Sequence, residues 1–505
     1  MSYAERHPFE PDARFDGGDL DCGNGLLLLI RQHIDPMARG QLLEFTSTEI
    51  SVEEDFPAWC RMTGNELISV TRRQRQRSFL VCKGPLSARA ASSTAPPAAG
   101  SPPAVVRVHV PVTLPPPMPV APIPPLAVMG IGSWPRPRWM LAAIHDHLEG
   151  RLSDEEFAAT AEDATRLAVA AQLRAGVDVV TDGEQRRDNY ASFVGGRLDN
   201  CQLIPLTDLL PLVDDPAKFE AEMRSLDVPA AQVRHPALFG PLGRSRPLAV
   251  HELETVRAIT GRPVKVALPG PYLLTRIMWM ECISDRAYRS REHLAEDIVR
   301  ILREEIAFLL AAGAALVQLD EPVLSEVVFT GAKNARSFMC GALSEKGDAA
   351  RELDFAGTLI NAVTAGLPRE RLAVHVCRGN WTRDEDAALS GDYQPLLGLF
   401  QRLSVGTLLL ETSTPRAGDL GVLEKLPPDV RLGVGLVNQK REEVESVAEI
   451  VALARRAIAL VGVERVLLTP DCGFATFADN PVASARVAEA KLRAIVEAAA
   501  VLRKG

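Results

Sequence analysis

Several features that mark large classes of proteins are missing from this sequence of 505 residues. No segment approaches the ~18 consecutive apolar residues of a membrane-spanning helix. The first residues, MSYAERHPFEPD, contain neither the basic region nor the apolar region of a secretory signal peptide. We therefore expect a soluble, cytoplasmic protein that has no membrane partner.

Positive charge is also scarce, because 56 Lys and Arg residues stand against 65 Asp and Glu residues, a net charge of −9. This balance argues against nucleic acid as the main partner. One local basic run is the exception, and it consists of Arg72, Arg73, Arg75 and Arg77. This run is either a binding site for an acidic protein or lipid surface, or part of a solvated edge strand. Composition alone leaves both interpretations of that run open.

Cysteine is present but scattered, with eight residues spread along the chain and no close-spaced framework for disulfides. In a reducing compartment, thiols at special positions more often bind metals or take part in chemistry. The sequence also lacks a glycine-rich dinucleotide fingerprint or a phosphate-binding loop after any apolar run. These absences weaken the prediction of a nucleotide-binding open sheet.

Proline divides the chain. Many of its 37 prolines lie in a Pro/Ala-rich segment at 85–125. Because proline removes backbone donors and favours polyproline II, this segment is predicted to be a semi-rigid linker. It separates a small unit at 12–84 from a large unit at 126–505.

The large unit alternates apolar runs with helical patterns. Two of the predicted helices begin with a capping box, Ser153 with Glu156 and Ser446 with Glu449. There are eight apolar runs, at 126–133, 177–184, 263–270, 314–321, 372–379, 406–413, 431–438 and 465–472. This pattern predicts an α/β fold, a (β/α)8 TIM barrel, with a doubly wound open sheet as the alternative.

Potential metal ligands gather at the carboxyl ends of these predicted strands. His375 and Cys377 are two residues apart, so both side chains lie on one face of a strand. Glu411 and Cys472 follow the sixth and eighth strands on the same rim. Imidazole together with thiolate indicates Zn²⁺. The alternatives are a buried histidine beside an inert cysteine, or a structural zinc site, although structural sites usually use close-spaced cysteine pairs.

The large unit resembles the C-terminal catalytic barrel of cobalamin-independent methionine synthase, in its short, core-only branch. The resemblance runs from about Met129 to Leu502. It rests on motifs in the family's order: IGSWPRP at 131–137, DGEQRRDNY at 182–190, PGP at 269–271, QLDEP at 318–322, HVCRGN at 375–380, LLLETS at 408–413 and PDCGF at 470–474.

This resemblance implies a zinc site at His375, Cys377, Glu411 and Cys472 and a binding site for an amino-acid thiol at Ile131, Ser133, Glu184 and Asp320. The two carboxylates would pair with the substrate ammonium, and Ser133 would bind its carboxylate. An ion pair with Arg186 or Arg187 is the alternative role of Glu184 and Asp320.

The implied activity is that of a zinc-dependent S-methyltransferase that activates a small thiol, most simply homocysteine, and yields methionine. The second barrel of full-length family members is absent, and Lys440 stands where those enzymes have the histidine thought to protonate the folate leaving group. The methyl donor is therefore either methyltetrahydrofolate or a methylated corrinoid protein. The alternatives are alkyl transfer to another thiol or to a sulfur-carrier cysteine, and a non-catalytic sulfur-trafficking module.

The small unit at 12–84 resembles a TusA-type sulfur-carrier domain, a two-layer α/β sandwich. The family's active cysteine corresponds to Cys22, at the start of the first predicted helix, where free amides favour thiolate. Both prolines of the family motif are missing from Cys22-Gly23-Asn24-Gly25. The resemblance implies sulfur-relay partners if Cys22 is active, and a domain used only for docking if it is not.

Overall fold

The computed structural model describes residues 3–91, 114–205, 234–279, 287–329, 348–479 and 481–504, together with Ser284. The linker at 85–125 is described only at its two ends, and Cys282 and Cys340 lie outside the described residues. None of the helices in these ranges is long and apolar enough to cross a bilayer.

The first part of the chain forms a four-stranded sheet in the order β1-β2-β4-β3, in which β1 runs parallel to β2 and the other neighbours are antiparallel. Two helices pack on one face, where Phe45, Phe56 and Phe79 form an aromatic core. The elements are β1 (Ala13–Asp16), α1 (Leu27–Ile34), β2 (Leu42–Ser47), α2 (Val52–Thr63), β3 (Glu66–Arg73) and β4 (Gln76–Cys82), followed by the short α3 (Ser87–Ala91).

The larger part alternates strands and helices, and an antiparallel pair of strands, β5 and β6, precedes the parallel sheet. Its elements are α4 (Arg138–Leu148), α5 (Asp154–Ala175), β5 (Asp199–Pro205), β6 (Arg234–Gly243), α6 (Val250–Ile259), β7 (Lys265–Pro269), α7 (Pro271–Met278), α8 (Arg291–Ala311), β8 (Leu316–Asp320), α9 (Val323–Phe329), α10 (Ala349–Thr364), β9 (Leu372–Val376), α11 (Leu397–Phe400), β10 (Thr407–Leu410), β11 (Arg431–Gly435), α12 (Val447–Val461), β12 (Val466–Thr469) and α13 (Ala485–Leu502).

Strands β7 to β12 form one parallel sheet in sequence order. Every residue of β7, β8 and β9 is buried, as expected for parallel strands covered on both faces. Along β9 and β10 the side chains alternate, because Ala373 and Leu409 belong to one apolar cluster and Val374 and Leu408 to another. The prediction of an α/β fold with a parallel sheet is confirmed.

The other two predicted strands, at 126–133 and 177–184, form only isolated parallel bridges in the described structure: Val128 with Leu468, Met129 with Val179, and Val180 with Val264. Side chains accept some of the backbone hydrogen bonds that a neighbouring strand would otherwise accept. The amide of Val128 donates to Asp178 Oδ2 at 2.8 Å, and the amide of Thr181 donates to Gln172 Oε1 at 2.9 Å. The hydrogen-bonded sheet of named strands therefore has six members and is not a closed barrel.

The helix starts agree with the sequence. At the start of α5, the Glu156 amide donates to Ser153 Oγ while the Glu156 side chain accepts from the Ser153 amide, which completes the capping box. The same reciprocal pair, Ser446 with Glu449, begins α12. These caps satisfy amides that have no partner inside the helix.

Candidate active site

A pocket lies at the carboxyl ends of the parallel strands. Seven of the residues predicted from the sequence line it: Ile131, Ser133, Glu184, Asp320, His375, Cys377 and Cys472. Asp320 is the last residue of β8, and Cys377 directly follows β9. The parallel direction of the strands thus brings residues from distant parts of the chain to one rim.

The two cysteines of the rim are in contact. A hydrogen bond with Cys377, together with burial, raises the pKa of the Cys472 thiol well above its ordinary value. The Gly379 amide donates to Cys377 Sγ at 3.4 Å. Two adjacent buried sulfur atoms are favourable ligands for a soft or borderline cation, which would offset the cost of ionising them.

His375 is oriented by a carboxylate. Its Nδ1 lies 2.9 Å from Asp320 Oδ1, while its Nε2 is buried without a hydrogen-bond partner among the described residues. A histidine that binds metal commonly donates its other ring N–H to such a carboxylate. Nε2 is therefore the ring nitrogen that remains open to a ligand.

Glu411 follows β10 and lies outside the set of pocket-lining residues. Its Oε1 accepts hydrogen bonds from the Arg378 amide, at 2.5 Å, and from Asn380 Nδ2. Its Oε2 is buried and unpartnered in the described structure. Burial and the nearby Asp471 carboxylate raise the pKa of Glu411 to about 7, so a cation next to Oε2 would stabilise its charged form.

Within the described ranges, no group of three or more His, Cys, Asp or Glu side chains has the geometry of a complete metal site. The donor set nonetheless fits zinc. The buried atoms without partners include His375 Nε2 and Glu411 Oε2, and the two thiols lie beside each other. One nitrogen, one oxygen and two sulfur ligands are typical of Zn²⁺ rather than of Mg²⁺ or Ca²⁺.

Glu184 has an unusual backbone, with φ of +54° in the left-handed region that non-glycine residues rarely occupy. Arg136 Nη2 donates to the Glu184 carbonyl at 2.6 Å. The Glu184 side chain packs closely against Gly132, where only glycine fits, because a Cβ at that position would lie 2.2 Å from Glu184 Oε1. Strained residues of this kind concentrate at functional sites. Burial raises the pKa of Glu184 to about 7.

The alternative role of Glu184, an ion pair with Arg187, is only weakly present. The Arg187 guanidinium is bound to Glu252, with Nε 3.1 Å from Oε1 and Nη2 2.5 Å from Oε2, and its nearest nitrogen lies 3.9 Å from Glu184 Oε1. Glu184 Oε2 has no hydrogen-bond partner among the described residues. The carboxylate is thus available to a ligand.

Ser133 also lines the pocket, and its Oγ accepts from the Ala475 amide at 3.3 Å. A Cβ at Gly473 would lie 2.2 Å from this oxygen, so glycine is required there. A serine hydroxyl and two carboxylates in one pocket can bind the two charged groups of an amino acid.

The two residues predicted as catalytic lie outside the set that lines the pocket. Lys440 Nζ donates to the Asp384 carbonyl at 2.6 Å, and burial lowers the pKa of Lys440 to about 8. Cys22 belongs to the apolar core of the first unit. Burial, together with Asp55 and Asp21, raises the pKa of Cys22 to about 12, so in this conformation burial opposes the thiolate that a helix start favours.

Sequence reasoning did not assign six further pocket residues: Tyr190, Pro322, Asn380, Trp381, Gly473 and Thr476. Pro322 and Gly473 lie within two of the sequence motifs. Tyr190 and Asn380 are the last residues of two of the motifs quoted above, so their position was a usable signal. Trp381 and Thr476 lie just beyond motifs, and nothing in their spacing indicated a role.

Comparison with known proteins places these residues in context. The catalytic domain family described as cobalamin-independent synthase matches residues 126–501. A methionine synthase of Saccharolobus solfataricus is 25% identical over 383 residues, which cover 76% of this chain and 96% of that protein. A methionine synthase of Thermococcus kodakarensis is 27% identical over 375 residues, covering 74% and 92%.

Among solved structures, a B12-independent methionine synthase from a Shewanella species, in complex with selenomethionine, superposes with a TM-score of 0.57 and 22% identity, over 75% of this chain and 98% of that one. At this identity, the likeness supports the fold alone.

Proposed function

Because the chain belongs to the cobalamin-independent methionine synthase family and is therefore a methyltransferase, we propose that it transfers a methyl group to the thiol of homocysteine at a zinc site formed by His375, Cys377, Glu411 and Cys472. The observation that carries this proposal is the pair of unpartnered buried atoms, His375 Nε2 and Glu411 Oε2, near two adjacent thiols.

Zinc bound at these residues supplies positive charge that stabilises the substrate thiolate, the nucleophile of the reaction. The protein residues position that nucleophile. Glu184 and Asp320 bind the homocysteine ammonium, Ser133 binds its carboxylate, and Ile131 contributes an apolar wall. Held at both ends, the amino acid directs its sulfur towards the cysteine side of the pocket, where an electrophilic methyl group can approach in line.

The methyl donor is either methyltetrahydrofolate or a methylated corrinoid protein. With folate, the leaving nitrogen needs a proton, and we assign this role to Lys440. Burial favours it, because a lysine with a pKa of about 8 donates a proton more readily at neutral pH than an exposed lysine does.

We also infer that the parallel sheet is completed to an eight-stranded barrel by the two short segments around Val128 and Val180. Their isolated bridges connect β12 to the first segment, the first segment to the second, and the second to β7. Met129 and Val179 share an apolar cluster with inward residues of the named strands, such as Leu409. This cluster has the composition of a packed barrel interior.

For the remainder of the chain, we propose a TusA-like domain at 12–84, a linker at 85–125 and the catalytic unit at 126–505. Burial of Cys22 favours a docking role over sulfur transfer to relay proteins. Gln202 of β5 donates to Asp35 Oδ2 at 2.9 Å, which offers a docking contact. Zinc ligation through Cys377 and Cys472 needs reduced thiols, which supports a cytoplasmic location.

The decisive experiment is metal analysis of the wild type and of Cys472→Ser, with Cys201→Ser as the matched control outside the site. We expect about one zinc ion per chain in the wild type and the control, and loss of the metal in Cys472→Ser. A wild-type protein that binds no zinc would refute the mechanism. Parallel assays with methyltetrahydrofolate and methylcobalamin then identify the donor.

A further inference from the structure

Lys265, the first residue of β7, has no place in the mechanism above, yet it is one of the most enclosed charged residues of the protein, with 0% of its surface exposed. A lysine is almost never fully buried unless it is paired. Its Nζ donates to Gln318 Oε1 at 2.7 Å, and Gln318 is equally buried on the neighbouring strand β8.

The contact continues towards the pocket. Gln318 Nε2 donates to Asp320 Oδ1 at 2.6 Å, and the same oxygen lies 2.9 Å from His375 Nδ1. Four side chains on three adjacent strands, β7, β8 and β9, thus form one chain of hydrogen bonds. We call it the Lys265 relay: Lys265, Gln318, Asp320 and His375.

The chemistry of each group gives the relay a direction. A lysine ammonium has donors only, so the Gln318 amide must turn its oxygen towards Lys265 and its NH₂ group towards Asp320. A carboxylate only accepts, so the second hydrogen bond at Oδ1 must be donated by His375 Nδ1. In a neutral imidazole this leaves Nε2 without a proton.

We propose that Lys265 is a positioning residue of the active site: acting through Gln318, it holds Asp320 as an acceptor and so keeps His375 in the tautomer whose Nε2 can bind the metal. The inference rests on the zinc site proposed above. Both relay bonds end on Oδ1 of Asp320, so the same arrangement presents Oδ2 to the substrate ammonium.

The charges around Lys265 support this coupling. Burial lowers the pKa of Lys265 to about 7, while the carboxylates of Asp320 and Glu184 oppose that shift. The two counter-charges of the buried lysine are therefore the two residues proposed to bind the substrate ammonium. Ammonium and neutral amine both carry N–H groups, so the donor to Gln318 is present in either form.

Two variants test the relay. Lys265→Met removes the donor at similar length, and Gln318→Glu keeps an acceptor for Lys265 but replaces the NH₂ group facing Asp320 with a second carboxylate. Lys491→Met is the matched control, because Lys491 is also 0% exposed but pairs with Glu445 at 2.7 Å, away from the relay.

The first measurement is the His375 tautomer in metal-free protein, by ¹⁵N NMR of histidine-labelled samples, with the His375 signal identified by its loss in His375→Gln. The second is the zinc dissociation constant from chelator competition. We expect the proton on Nδ1 in the wild type and in Lys491→Met. In Lys265→Met and Gln318→Glu, the proton should move towards Nε2, and the zinc dissociation constant should rise about tenfold or more.

A Lys265→Met protein with the wild-type tautomer and a zinc dissociation constant within about twofold of wild type would overturn the inference. If Lys265→Met does not fold, Gln318→Glu decides by the same two readouts. If the wild type binds no zinc, the proposed function fails, whereas the tautomer comparison in the metal-free protein still shows whether the relay operates.

Discussion

The buried ion pair between Arg187 and Glu252 permits a prediction that connects stability with substrate binding. Arg187 is 1% exposed, and its guanidinium makes two hydrogen bonds to Glu252. The substitution Glu252→Gln preserves shape but removes the negative charge. The same guanidinium lies 3.9 Å from Glu184, which we propose binds the substrate ammonium.

Removing one partner of a buried pair costs ~3–5 kcal/mol, because the other charge is left uncompensated. In Glu252→Gln, a small movement allows Arg187 to pair with Glu184, so we expect a loss near the lower end, about 3 kcal/mol. The substrate then loses a charged hydrogen bond of ~1.5–3 kcal/mol. This corresponds to a dissociation constant for homocysteine that is roughly 10- to 150-fold higher.

Urea unfolding measures the first effect, and calorimetric titration of the zinc-loaded protein with homocysteine measures the second. The control is Glu489→Gln, which removes the partner of Arg174 in a pair whose arginine side chain is 60% exposed. Such a surface pair contributes only ~0–1 kcal/mol. Equal unfolding midpoints for the two variants, with unchanged homocysteine affinity in Glu252→Gln, would refute the reasoning.

Three further outcomes are expected. Burial raises the pKa of Glu184 to about 7, so calorimetry should show homocysteine binding weakening as the pH falls below about 7, through loss of the carboxylate, and Glu184→Gln should lack this dependence. Burial lowers the pKa of Lys440 to about 8, so kcat with methyltetrahydrofolate should fall as the pH rises above about 8. If Lys440→Met shows the same fall in kcat, another group donates the proton. Methyl transfer by Cys22→Ala should equal that of the wild type, because burial raises the pKa of this thiol to about 12 and so opposes a reactive thiolate; a slower methyl transfer in Cys22→Ala would contradict this.

The residues at the ends of the strands could be predicted, because the local pattern of apolar and polar residues determines where a strand ends. Where an apolar run stops at a polar residue, as at Asp320 or His375, the parallel fold carries that residue to the pocket rim. The segments around Val128 and Thr181 were less predictable. Their backbone donors pair with Asp178 and Gln172, and nothing in a local apolar run indicates such side-chain competitors.

The second limit on prediction from the sequence was the environment of a side chain, because residues far away in the chain create it. Cys22 begins a helical stretch, which favours thiolate, but its burial depends on packing in a core that includes Phe45 and Trp59. Lys265 lies in an otherwise apolar run, and its partner Gln318 is 53 residues further along the chain. A sequence pattern shows that a polar residue interrupts a strand, but not which side chain it will meet.

The contact between Ser133 and Ala475 joins residues 342 positions apart in the chain. At the usual rate of translation, about 5–20 residues per second, the serine waits roughly 20 to 70 seconds before its partner is synthesised. During that interval, the nascent chain has neither the Ala475 amide that donates to Ser133 nor Cys472. A shortened product that stops before this region would therefore contain most of the sheet and most of the pocket residues, yet lack one of the four proposed zinc ligands.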